Sequence, residues 1–186
     1  MSARKDFIPA SSQTVGPFFS IGLEYLVDRT PALDADATGN LAIRGRVLDR
    51  DGAPVPDAML EFWNAATPRD ASPSASEDKS PDGFRRAATD QEGTFSVVMR
   101  RPAVVELENG SMQAPHILVL VFMRGLLRHL ISRVYFEDDA GILTDPVLLA
   151  IPPARRRTLI AQRDGEHAYR WNVILQGTDE TVFFAW

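Results

Sequence analysis

The sequence contains no cysteine. That single absence excludes a disulfide framework, a thiolate metal site and a cysteine nucleophile. Histidine and tyrosine are sparse: His116, His129 and His167, and Tyr25, Tyr135 and Tyr169. No two histidines have the HxH or HxxxH spacing that sets two imidazoles on one side of a strand or helix. His116 shares its strand face with Leu118, which cannot ligate a metal, so its ordinary role is that of a hydrogen-bonded core residue. GxSxG, HExxH and a glycine-rich phosphate loop are all missing. On inventory alone, nothing assembles a nucleophile, a base and an orienting group. The longest apolar run, Ile117 to Met123, falls far short of the roughly 20 residues that cross a bilayer. Met1 to Asp6 leads into no apolar segment, so no signal peptide is expected, and with no cysteine the expected location is cytoplasmic. Acidic residues outnumber basic ones, 25 to 20. A net charge of −5 argues against nucleic acid. The one dense basic run, Arg155-Arg156-Arg157 after Pro152-Pro153, reads as a solvated turn or short helix face.

The chain has 186 residues, 45% of them apolar and 24% charged, which fits one domain over residues 1–186. Residues 1–11 read as an irregular N-terminal arm. Ser12-Gln13-Thr14-Val15-Gly16-Pro17-Phe18-Phe19 follows, where Gly-Pro enforces a bend. This stretch is either a segment stapled to the core by Phe18 and Phe19 or a backbone-rich lip over a pocket. From Asn40 the hydrophobic period becomes two. Strands are expected over Leu41–Leu48, closed by Asp49-Arg50-Asp51-Gly52, and over Ala58–Trp63. Residues 66–83, rich in Pro, Ser, Asp and Ala, read as a long surface loop. Phe84–Thr89 and Thr94–Met99 flank Asp90-Gln91-Glu92-Gly93, the signature of a hairpin. Further segments cover Leu143–Ile151, Thr158–Gln162, Ala168–Leu175 and the apolar ending Thr181–Trp186. Helices are expected only around Ala154–Arg157 and near Leu23–Val27. Eight to ten short strands separated by turn signals point to an all-β chain, an antiparallel β-sandwich with long loops.

The most informative stretch is 115–136. Pro115-His116-Ile117-Leu118-Val119-Leu120-Val121-Phe122 is apolar on both faces, as in a central strand. The chain turns at Met123–His129 and returns as Leu130-Ile131-Ser132-Arg133-Val134-Tyr135-Phe136. Alternation puts Leu130, Ser132, Val134 and Phe136 on one face, and Ile131, Arg133 and Tyr135 on the other. Arg133 therefore sits mid-strand on an apolar face and needs a partner or a ligand. The ordinary partner is a nearby acid such as Glu137 or Asp138.

Several of these motifs together resemble the intradiol ring-cleavage dioxygenases. They are Ser12 to Phe19, Asp49 to Ala58, Leu60-Glu61-Phe62-Trp63-Asn64-Ala65, Thr89 to Phe95, Ala114-Pro115-His116-Ile117 and Ser132-Arg133-Val134-Tyr135-Phe136. The resemblance runs from about Ser12 to Trp186. Thr158-Leu159-Ile160-Ala161 and Glu180-Thr181-Val182-Phe183-Phe184 look like the α-type branch of that family, which works as an α/β pair.

The resemblance implies a β-sandwich that holds non-haem Fe³⁺ on two tyrosines and two histidines, the latter as HxH. Here that motif reads His116-Ile117-Leu118, and the span from Asn64 to Pro115, where the two tyrosines belong, contains none. Three of the four ligands are missing. The implied role is therefore that of a chain without metal, beside an iron-bearing β subunit, with the active site at their interface. Thr14, Gly16, Pro17 and Arg133 are the implied cleft residues, and Arg133 is the candidate catalytic contact. The implied substrates are protocatechuate (3,4-dihydroxybenzoate) and O₂, converted in aromatic catabolism to 3-carboxy-cis,cis-muconate. Two other readings remain at this stage. One is a transthyretin-like binding or structural sandwich with no catalytic role. The other is a self-sufficient dioxygenase with an unusual metal site using His129 or His167.

Overall fold

A computed structural model describes residues 11–16, 21–22, 35, 39–64 and 83–185. The expectations for the first ten residues, Pro17 to Phe19, a Leu23–Val27 helix and the loop from 66 to 82 concern residues outside these. The described strands are β1 (Asn40–Leu48), β2 (Met59–Asn64), β3 (Phe84–Ala88), β4 (Thr94–Arg100), β5 (Val105–Glu106), β6 (Met112–Gln113), β7 (His116–Phe122), β8 (Leu130–Phe136), β9 (Ile160–Arg163), β10 (Ala168–Arg170) and β11 (Val173–Ile174). Nine of them form one sheet in the order β11-β1-β10-β9-β8-β7-β2-β3, with β4 on the other edge of β1. β5 and β6 pair as a separate ribbon. The sheet nearly closes, because β3 and β4 at its two ends are consecutive in the chain.

The sheet is mixed where an antiparallel one was expected. β1 runs parallel to β10 and β11, and β8 runs parallel to β9. A parallel neighbour needs a crossover connection, and residues 137–159 supply one with short helices. These are α1 (Pro146–Ala150) and α2 (Pro153–Arg156), flanked by 3₁₀ turns. The sequence reading placed α2 but missed α1. Its signal was Asp145-Pro146: the Asp145 carboxylate caps the helix, and proline occupies the first turn, where its missing N–H costs nothing.

The expected 84–99 hairpin is also corrected. Its turn is present: the Asp90 carboxylate accepts from the N–H groups of Glu92 and Thr94, and Gly93 takes φ +69°. Yet β3 pairs with β2, and β4 pairs with β1. Tertiary contacts separate the two strands. The buried Thr89 hydroxyl accepts from Ala58 N–H and donates to the Val55 carbonyl, while Val47 N–H donates to Gly93 O.

One apolar cluster joins Leu41, Ile43, Phe62, Phe95, Val119, Val134 and Phe136 on the inner side. A second, smaller cluster joins Tyr135, Leu148, Ile151 and Leu159 on the opposite side of β8, with Val182 and Phe184 of the ending packed against it. The alternation of β8 is therefore as the sequence predicts, and its second face carries the candidate Arg133.

Between its pairings with β10 and β11, β1 is crossed by the Trp171 backbone. A Cβ on Gly45 would lie 1.7 Å from the Trp171 carbonyl oxygen and 3.0 Å from the Phe95 ring. Gly45→Ala is expected to lower stability by about 3 kcal/mol, since neither backbone nor core ring can yield cheaply. Urea unfolding of wild type and variant measures it.

Candidate functional site

The register of β7 against β8 sets Leu118 opposite Arg133, His116 opposite Tyr135 and Leu120 opposite Ile131. All of these lie on the outer face, because their neighbours Ile117, Val119, Ser132 and Val134 fill the inner core. Arg133 is half-buried. Its Nη1 donates to Gln113 Oε1 at 3.3 Å and to the Tyr135 hydroxyl at 3.4 Å, and its head lies 5.8 Å from the centre of the Phe184 ring. Glu137 and Asp138 do not pair with it. Glu137 accepts from Arg163 N–H, and Asp138 accepts from Arg101 and from the Tyr169 hydroxyl. Among the described residues Arg133 forms no ion pair.

Leu118, Ile131, Arg133, Phe184 and Ala185 line a cavity of about 220 Å³. That exceeds the roughly 150 Å³ that suffices for a benzene ring. Ile131, Phe184 and Ala185 also wall a larger trough of about 620 Å³, whose far side is formed by Gln13, Val15 and the 123–130 turn. The Thr14 hydroxyl accepts from Gly125 N–H at 2.8 Å, which ties the 11–16 segment onto that turn. Gly16 follows with φ +69°, a conformation that side chains resist. Of the candidate residues, Thr14 sits in the chain between Gln13 and Val15 of the trough wall, Arg133 lines the adjoining smaller cavity, Gly16 follows Val15 in the chain, and Pro17 lies outside the described residues.

Three residues of the site escaped the sequence reading: Gln113, Tyr135 and Asp145. Asp145 is fully buried, with Oδ1 accepting from Val147 and Leu148 N–H and Oδ2 from Ala114 N–H, all at 2.9 Å. Tyr135 donates to Asp145 Oδ1 at 3.3 Å. Burial pushes the Tyr135 hydroxyl up to about 12; the Arg133 charge pulls the other way and Asp145 reinforces the rise. The phenol therefore keeps its proton at neutral pH.

These donors do not suit Fe³⁺. His116 is buried, stacks on Tyr135 with ring centres 5.3 Å apart, and has Nδ1 held by the Ala114 carbonyl at 2.8 Å. Burial lowers its proton affinity, as does the Arg133 charge, against opposing contributions from Ala114 and Asp145. A site whose fixed cation already disfavours an imidazolium also opposes a trivalent ion. Among the described residues no three of His, Cys, Asp and Glu converge as metal ligands. His129 lies tilted against Phe122 and His167 lies beside Glu166, so the structure does not gather the histidines around His116. What the arrangement offers is an anion-binding edge next to a ring-sized apolar cavity. No helix of the described residues is long and apolar enough to cross a membrane.

The profile of the family described as "Dioxygenase" matches residues 15–177. The protocatechuate 3,4-dioxygenase alpha chain of Burkholderia cepacia is 41% identical over 195 residues, covering 93% of this chain and 95% of its own length. The beta chain of the enzyme from the same organism is 28% identical, covering 76% of this chain and 66% of its own. Among solved structures, catechol 1,2-dioxygenase from Pseudomonas arvilla C-1 shares the fold with a TM-score of 0.56 at 19% identity. The match covers 77% of this chain and 54% of that one, so the chain spans about half its length.

The buried imidazole makes a pH prediction. A depressed folded pKa stabilises the neutral form, so this stability is present above the ordinary value of about 6.5 and is lost as pH falls through the folded pKa. His116→Asn is expected to flatten that part of the acid limb, read as the urea midpoint against pH.

Proposed function

The chain belongs to the intradiol ring-cleavage dioxygenases, and from that premise we propose that it is the alpha subunit of a protocatechuate 3,4-dioxygenase, a chain without iron that completes the active site of an iron-bearing beta subunit. The complex inserts both atoms of O₂ into 3,4-dihydroxybenzoate, between the two hydroxyl-bearing carbons, and releases 3-carboxy-cis,cis-muconate. Oxygen chemistry belongs to the Fe³⁺ of the partner. This chain supplies recognition and closure.

One observation carries the reading. A half-buried guanidinium faces a ring-sized apolar cavity with no carboxylate paired to it among the described residues, on a strand pair whose donors do not suit iron. The substrate bears a carboxylate, and a charge-assisted bond to it offsets the cost of burying Arg133. The apolar cavity wall takes the ring. Thr14 and Gly16 belong to the lip over it, supported by the tie from Thr14 to the 123–130 turn, and the family resemblance assigns Pro17 the same role. A beta-chain relative of the same family supports the α/β pairing. The absence of cysteine supports a cytoplasmic complex. A structural sandwich with no catalytic role finds no support among these relatives.

Arg133→Ala in the assembled α/β enzyme tests this. Losing one charge-assisted bond, worth about 1.5–3 kcal/mol, is expected to raise KM for protocatechuate roughly 10- to 100-fold. Turnover of catechol, which lacks the carboxylate, is expected to stay unchanged. Steady-state oxygen uptake on both substrates measures it, and an unchanged KM for protocatechuate contradicts the assignment.

A further inference from the structure

We propose that Tyr135 and Gln113 are positioning residues that aim the Arg133 guanidinium, with Asp145 as the fixed carboxylate behind them. This rests on the reading of Arg133 as the group that meets the substrate carboxylate. The argument begins with which atoms are held. Both protein bonds to the Arg133 head fall on one nitrogen, Nη1. Nε and Nη2 form no bond to any described residue, so the side-on edge of the fork stays open for a carboxylate to bridge.

The two acceptors on Nη1 are themselves immobile. Gln113 is 7% exposed at the end of the short strand β6, and Tyr135 is fully buried two residues along β8 on the same face as Arg133. The Tyr135 hydroxyl accepts from Arg133 and donates to Asp145 Oδ1. Asp145 cannot swing, because three backbone N–H groups hold its two oxygens while it caps α1. The chain of contacts thus runs from a helix cap through a phenol to the guanidinium. Each of the links at the head is long, 3.3–3.4 Å, so together they set its direction and neither alone anchors it.

The placement of Asp145 matters as much as its presence. A carboxylate in direct contact would occupy the fork and compete with substrate. Behind the phenol, it balances the Arg133 charge at one remove and leaves the open edge free.

The test uses the assembled α/β enzyme and two probes, protocatechuate and catechol. Tyr135→Phe and Gln113→Leu are each expected to raise KM for protocatechuate roughly three- to tenfold. KM for catechol and kcat on both substrates are expected to stay unchanged. Gln113→Glu sets a carboxylate in direct contact with the guanidinium and is expected to raise KM for protocatechuate at least as far as Gln113→Leu, with KM for catechol unchanged, a charge-specific response that a merely structural role would not produce. If Tyr135→Phe does not assemble, the two Gln113 variants decide. Unchanged KM for protocatechuate in Tyr135→Phe and Gln113→Leu, with Arg133→Ala still impaired, overturns the positioning role and leaves the assignment of Arg133 standing. An unimpaired Arg133→Ala overturns the underlying reading itself.

Discussion

The register between β7 and β8 is the constraint on which the site depends. It pairs Leu118 with Arg133 and His116 with Tyr135. Because successive residues face opposite sides of a strand, a slip of one residue would carry Arg133 into the inner core and Val134 out of it. The inner face forbids that slip, since Ile117, Val119, Val121, Val134 and Phe136 are all fully buried there. The apolar core thus fixes the position of a charge that it never touches. The outer face then has freedom to carry chemistry, and here it carries a cation where the resemblance to the family implies a metal strand.

That exchange has an electrostatic logic. A buried imidazole beside a fixed guanidinium is held neutral, and the same field opposes any further cation. Among the described residues the guanidinium in turn has only neutral acceptors in contact, the Gln113 amide and the Tyr135 phenol. The nearest compensation is the Asp145 carboxylate behind the phenol. An environment of this kind favours an incoming anion over an incoming metal. Under the proposed reading, a second chain completes the site by adding the redox centre to these recognition groups.

Much of this was legible in the sequence, and the exceptions have physical causes. The period of two gave the faces of β8 correctly, because burial of one face leaves a regular pattern. Arg133 stood out for the same reason, as a break in an apolar face. The resemblance to the family supplied the role proposed for it, which alternation alone could not. Partner choice between strands was less legible. Asp90 to Gly93 encodes a turn, but whether β3 and β4 then pair is decided by Thr89, Ala58 and Val47, which are distant in sequence. The parallel ladders were hidden likewise, since they depend on the 137–159 crossover. Asp145 was readable in principle from the Asp-Pro helix start. Gln113 was not, because a two-residue strand has no periodicity to read.

The central claim is that this chain lends recognition to an iron held by another. The most direct measurement titrates a fixed amount of the iron-loaded beta subunit with this chain, following oxygen uptake on protocatechuate together with the iron content of each separated subunit. The account predicts that uptake rises to a plateau at one chain per beta subunit, while all iron stays with the beta subunit and this chain alone consumes no oxygen. Iron bound to this chain, or ring cleavage by it in isolation, would contradict the account.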